Sequence, residues 1–202
     1  GTAVIPFAPS ADAPKPPVVE KFIPYGNARK RQMAGYSYRH YGVRTWQLND
    51  PQAIVLHYTV SRNWQSPWNL FASNSPTAGP AGSAAERPGG CTHFLVAKSG
   101  KIIQLAPLTT MCRHAIGIND RSIGIEFVEM SSASNILARP KQVQAGLALV
   151  RWLQSQTGVT TSNVIGHKMV NASPYFHELV PGWRNDHTDW NAGQVRKFRA
   201  QL

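Results

Sequence analysis

The sequence predicts an α/β domain with a mixed central β-sheet flanked by α-helices. Three observations predict it. Short apolar segments rich in β-branched residues recur along the chain, each the length of a buried strand. Helical periodicity appears between and after them. It is clearest from Pro140 to Gly158, where Val143, Leu147, Val150 and Leu153 fall on one face. Finally, Lys98-Ser99-Gly100 separates two strand-like runs and reads as a hairpin turn within this interleaved order.

Taken in order, residues 1–22 are Pro/Ala-rich (Ala8-Pro-Ser-Ala-Asp-Ala-Pro-Lys-Pro-Pro) and lack the apolar periodicity needed to pack, so they read as an extended linker or leader remnant. Residues 23–50 form a helical arm on the domain surface. Asn27 is placed to cap a helix running towards His40, and Gly42 to end it. The domain proper spans 51–202. Its first core strand is Ala53-Ile-Val-Leu-His57-Tyr58. Ser66-Pro67 reads as the N-cap and first residue of a short helix carrying Trp68 and Phe71. Asn74 to Gly90 is a Gly/Ala/Ser/Pro-rich surface loop. The hairpin strands are Thr92–Ala97 and Lys101–Leu105. A loop with His114 and Asn119 leads to the strand Ser122-Ile-Gly-Ile-Glu126-Phe-Val. After the Pro140 helix come the strand end Val164-Ile-Gly-His167 and a long loop to Asp189. In the last helix, Asn191-x-x-Gln194 forms a capping box and Val195 and Phe198 face inward. There is no internal repeat.

Composition narrows the function. The chain has 202 residues, 42% of them hydrophobic, enough for one sizeable core. No apolar run approaches the roughly 18 residues of a membrane span. The chain begins at Gly1, which fits removal of a signal peptide. Twenty-one Lys and Arg against 10 Asp and Glu give a net charge of +11, a surface that attracts polyanions. Nucleic acid is one such partner, and anionic envelope polymers and membranes are others, but no nucleic-acid motif accompanies the charge. Cys91 and Cys112 suit a single disulfide in a secreted protein or two reduced thiols. A disulfide is the expectation, tying the start of one strand to the loop after the next.

The placement of ionisable residues points to chemistry. His57 ends a wholly apolar strand, and His167 repeats the pattern. Glu126 is a carboxylate inside a third apolar strand, on the face opposite Ile123, Ile125 and Phe127. Such a carboxylate is costly to bury unless it faces a site or a partner. Two strand-end histidines, a strand carboxylate and a downstream aspartate are the components of a catalytic zinc site, which needs about three protein ligands and an open position. A satisfied core histidine and a buried ion pair are the plain alternatives.

The segments Ile54-Val-Leu-His57-Tyr-Thr59, Cys91-Thr-His93-Phe-Leu-Val, Gly100-Lys-Ile-Ile-Gln104, Arg113-His114-Ala, Asn119-x-x-Ser122-Ile-Gly-Ile-Glu126, Ile165-Gly-His167 and His187-Thr-Asp189 occur in one order. In that order they resemble the zinc-dependent N-acetylmuramoyl-L-alanine amidases related to peptidoglycan recognition proteins, the type 2 amidase fold. The likeness covers about residues 50 to 190. It implies one Zn2+ held by His57, His167 and Asp189, with Asp186 as the alternative third ligand and His177 as a rival in the long loop. It implies Glu126 as general base and acid. It also implies His187 as oxyanion stabiliser in place of the lysine of many relatives, with Arg184 upstream as the alternative. Substrate contacts fall to His114, Asn119 and Tyr58, and His93 supports the site from behind. The implied activity is hydrolysis of the amide between the lactyl group of N-acetylmuramic acid and L-alanine. The implied setting is a secreted or cell-wall-associated bacterial monomer acting on peptidoglycan and muropeptides. Its basic surface would then rest on anionic wall polymers rather than on a specific nucleic acid. The competing reading is a peptidoglycan-binding module without hydrolysis.

Overall fold

The structure, a computed structural model, describes residues 13–202; the first part of the Pro/Ala-rich segment, residues 1–12, lies outside the described residues. Among the described residues, six strands form one mixed sheet: β1 (Val19–Glu20), β2 (Ala53–Tyr58), β3 (Phe94–Val96), β4 (Ile102–Gln104), β5 (Ser122–Phe127) and β6 (Val164–Gly166). Their spatial order is β1-β4-β3-β5-β2-β6. Only β3 and β4 are antiparallel, joined through Gly100 at φ +90°. The other pairings are parallel. The strand β1 falls within the segment read as linker. Two residues suffice there, because Lys21 N–H and Ile23 N–H continue the pairing onto the carbonyls of Gln104 and Leu105 at 2.9 Å each.

Among the described residues, five α-helices accompany the sheet: α1 (Asn27–Tyr41), α2 (Gln65–Ser73), α3 (Ala133–Leu137), α4 (Pro140–Thr157) and α5 (Ala192–Arg199). The arm helix α1 ends as expected at Gly42, in the left-handed region at φ +84°, where its N–H reaches Tyr38 O. Its N-cap is Gly26 rather than Asn27, which sits in the first turn. In α2 the cap also lies upstream of the expected Ser66: the Asn63 side chain accepts the Ser66 N–H at 2.9 Å. The expected features of α4 and α5 are present. Gly158 closes α4, and Asn191 and Gln194 form a capping box before α5.

Alternation along the strands divides the sheet into two faces. On one, Ile54, Leu56, Phe94, Val96, Ile123, Ile125 and Phe127 pack with α3, α4 and α5 through Ile136, Leu147, Val150, Leu153, Val195 and Phe198, all buried. On the other, Ala53 and Val55 pack with Ala115, Ile118 and Val170, and Leu95 and Ile103 pack with Cys91 and Cys112. Those cysteines form a disulfide with Cα atoms 4.9 Å apart, closing a separation of 21 residues. Loop closure of that length stabilises by about 3 kcal/mol. No helix among the described residues is long and apolar enough to cross a membrane.

Candidate active site

The parallel strands β2, β5 and β6 end side by side, and open parallel sheets bind ligands beyond such carboxyl ends. His57 and Glu126 are direct register partners on β2 and β5, so their side chains leave the sheet on the same face. His167 follows β6 immediately. Asp189 arrives from the long loop and is held by its neighbours. Trp190 is fully buried, its indole N–H donates to His57 O at 3.2 Å, and Lys168 N–H donates to Asp189 O. A Cβ on Gly166 would lie 1.8 Å from Trp190 O, so only glycine lets the two segments approach this closely. Trp190 itself sits at φ +56°, an uncommon conformation for a bulky residue, fixed here by complete burial.

The result is a convergence of three donor groups. His57 Nδ1 and His167 Nδ1 are 3.1 Å apart. The Asp189 carboxylate is 3.4 Å from the first and 3.2 Å from the second. These are the residues that, among the described ones, present metal-type ligand atoms within 4.8 Å of one another. Two imidazole nitrogens and one carboxylate are the donor set a catalytic zinc takes, leaving a fourth position to the cleft. Glu126 supplies a second test of fit. Its Oε2 is buried without a hydrogen-bond partner, an expensive state that a cation and its water relieve. The residues fit a divalent ion.

Electrostatics follow from this crowding. Burial, then the neighbouring His167 ring, lowers the His57 imidazole to about 4 against the opposing pull of Asp189, so the ring is neutral at physiological pH. Burial pushes the Asp189 carboxyl up, but the close His167 and His57 rings outweigh it and hold the group below the usual range. Glu126 is pushed well above the usual carboxylate range by burial and then by the Asp189 charge.

Asp186 has an exposed side chain turned towards His187 at 3.9 Å, not towards the two imidazoles. His177 is exposed and outside the cluster. Arg184 stacks on Phe176 with its guanidinium carbon 5.3 Å from the ring centroid and does not line the cleft. His187 does line it, stacked on His167 at 4.5 Å and nearly parallel, with an exposed side chain. Tyr58 lines the cleft too, its hydroxyl donating to Ser131 O. Asn119 is fully buried behind the cleft wall: its Oδ1 accepts the N–H groups of His114 and Ala115, and its amide donates to Tyr41 Oη at 3.0 Å. His114 lines the cleft, with its Nδ1 2.9 Å from His57 Nε2 and its Nε2 3.2 Å from the Ser122 hydroxyl. His93 is buried between Thr110 O and Gly124 N–H, which supports the wall behind His114. Asn185, which the sequence reading passes over, accepts from His167 Nε2 at 3.0 Å. It lies in a loop without periodicity, where no local signal distinguishes it.

Comparison with known proteins identifies the family. The family model described as N-acetylmuramoyl-L-alanine amidase, Amidase_2, matches residues 47–191. Among solved structures, the endolysin N-acetylmuramoyl-L-alanine amidase LysCS from Clostridium intestinale URNW is similar with a TM-score of 0.54 at 23% identity, over 80% of this chain and 87% of that one. The N-acetylmuramoyl-L-alanine amidase LysC from the same organism has a TM-score of 0.53 at 24% identity, over 78% and 87%. A mutant endolysin from Bacillus subtilis has 0.52 at 20%, over 75% and 84%. At these identities the solved structures speak for the fold. No curated protein matches in sequence. The family match spans well over half of the chain, from ahead of β2 to the residue that caps α5, and the chain therefore belongs to the Amidase_2 family of N-acetylmuramoyl-L-alanine amidases.

Proposed function

We propose that this amidase is zinc-dependent, that His57, His167 and Asp189 hold the ion, and that Glu126 carries the proton chemistry. The single observation that carries this reading is the meeting of two imidazole nitrogens and a carboxylate next to the partnerless Glu126 Oε2, at the end of two register-paired strands. Zinc held there would lower the pKa of a water molecule and polarise the amide carbonyl. Glu126 Oε2, which faces the same cleft, would take a proton from the attacking water and pass it to the nitrogen of the departing L-alanine. Burial and then the Asp189 charge push the Glu126 carboxyl well above its ordinary range, which suits a group that takes up and returns a proton. His187, at the cleft mouth on the His167 ring, donates an N–H to the developing oxyanion. Tyr58 and Val60 on the rim flank the scissile bond.

The substrate is peptidoglycan, and the bond cut is the one between the lactyl group of N-acetylmuramic acid and L-alanine. The net charge of +11 suits action outside the membrane on a wall bearing anionic polymers. A binding module without hydrolysis has no use for a buried, partnerless carboxylate beside a ligand cluster. The test is digestion of purified muropeptides with identification of the fragments by mass. Release of free stem peptide beginning with L-alanine supports the reading. Intact muropeptides that nevertheless bind the protein overturn it in favour of the binding module.

A further inference from the structure

We infer that one loop, residues 113–119, sets the tautomers of both candidate zinc-ligating histidines before any ion arrives, through the positioning residues Ser122, His114 and Asn185. For His57 the chain of hydrogen bonds starts at an atom whose role is beyond choice. The carbonyl of Ile118 only accepts, and the Ser122 hydroxyl donates to it at 2.8 Å. The Ser122 oxygen is left to accept from His114 Nε2–H at 3.2 Å. A neutral His114 with its proton on Nε2 has a bare Nδ1, which accepts from His57 Nε2–H at 2.9 Å. His57 Nδ1 is then a free lone pair, and it is the atom that faces His167 and Asp189.

His167 is fixed in the same way from the other side. Ile116 N–H donates to Asn185 Oδ1 at 2.8 Å, and Asn185 Nδ2 donates to Ile116 O at 2.9 Å, which fixes the orientation of the amide. Asn185 Oδ1 therefore accepts from His167 Nε2–H at 3.0 Å, and the His167 Nδ1 lone pair is free. Two such lone pairs 3.1 Å apart cannot hydrogen-bond each other. Together with the Asp189 carboxylate they define a point that suits a cation.

Both chains end on the same short loop, at Ile116 and Ile118. That loop is templated by the Asn119 side chain, which Tyr41 of α1 holds in turn. Gly124 completes the device: a Cβ there would stand 2.9 Å from the His114 ring, so its absence gives the ring its seat on β5. Polar partners of this kind orient metal-binding histidines, and their loss typically lowers metal affinity by about 10- to 100-fold.

The inference rests on the metal-site reading above, and its test separates the two. Long-range proton–nitrogen NMR on chelator-stripped, 15N-histidine-labelled protein at neutral pH reads each tautomer directly. The expected pattern is the Nε2–H form for His57, His114 and His167. An Nδ1–H form at His57 or His167 overturns the inference, and this wild-type measurement decides even if variants fold poorly. Ser122→Ala and Asn185→Leu are each expected to mix the tautomers of their histidine and to weaken zinc binding by about 10- to 100-fold in competition with a chelator. Ser122→Thr and Asn185→Asp, which keep the acceptor, are expected to restore both. Unchanged tautomers and affinity in Ser122→Ala and Asn185→Leu overturn the inference. Wild-type protein with the expected tautomers but no zinc binding instead leaves the inference standing and sinks the metal-site reading.

Discussion

His57 and Glu126 are partners in the β2–β5 register, one on each of two adjacent parallel strands. That relationship places a candidate ligand and a candidate base on one face at one level, with backbone rather than loop precision. It also explains why the Glu126 carboxyl is buried but partnerless, since its outward neighbour is the site and not another side chain. Glu126→Gln keeps the volume and removes the base. Turnover of muropeptides is expected to fall by about 100- to 10,000-fold, while zinc content, measured by plasma mass spectrometry, stays at the wild-type level.

Asp189 and Asp186 are three residues apart, yet only Asp189 lies within 3.4 Å of both histidine Nδ1 atoms. Asp189→Ala is expected to lose both zinc and activity. Asp186→Ala, on an exposed side chain, is expected to keep both. Metal content of the two purified variants, measured side by side, checks this. The opposite pattern would move the third ligand to Asp186.

His187 stacks on His167 at the mouth of the cleft. His187→Ala is expected to lower kcat by about 100- to 1,000-fold, the usual cost of losing one oxyanion donor, with zinc retained. Arg184→Ala is expected to leave kcat near wild type, because Arg184 packs on Phe176 away from the cleft lining. Steady-state kinetics on a defined muropeptide separates the two.

Acid stability has a separate, non-catalytic determinant. Burial pushes the Glu129 carboxyl up, but hydrogen bonds from Asn135, Ser132, Arg139 and Ser131 outweigh it and bring the group from 4.5 down to about 2. A carboxyl depressed in the folded state contributes stability that is full above its unfolded value and is lost as pH falls through the folded one. The wild type is therefore expected to lose stability between about pH 4.5 and 2 through this group. Glu129→Gln is expected to be less stable at neutral pH and to show a flatter decline over the same interval. Urea unfolding at a series of pH values checks both slopes.

Most of this arrangement is legible in the sequence because local rules and tertiary needs coincide. Val143, Leu147, Val150 and Leu153 are buried on α4 as their spacing predicts, and the Asn191–Gln194 capping box forms. His57, His167 and Glu126 stand out because each interrupts an apolar strand. What escapes the sequence is whatever depends on distant partners. The strand β1 exists only because β4 offers an edge to a Pro-rich segment. Nothing local shows that Tyr41, from a helix 78 positions earlier, holds the Asn119 amide. Asn185 is one of several polar residues in its loop, and only the fold brings it to His167. The resemblance already puts Asp189 ahead of Asp186, but the contact that seats it, Trp190 against Gly166, joins segments far apart in the chain and leaves no local signal.

The central claim is that one zinc ion at His57, His167 and Asp189 makes the amide cleavable. The most direct measurement strips the protein with chelator and titrates zinc back while following release of free stem peptide from a muropeptide. Activity is expected to be absent in the stripped protein and to return fully at one equivalent of zinc. Undiminished cleavage by the stripped protein, or recovery only after a second equivalent, contradicts the account.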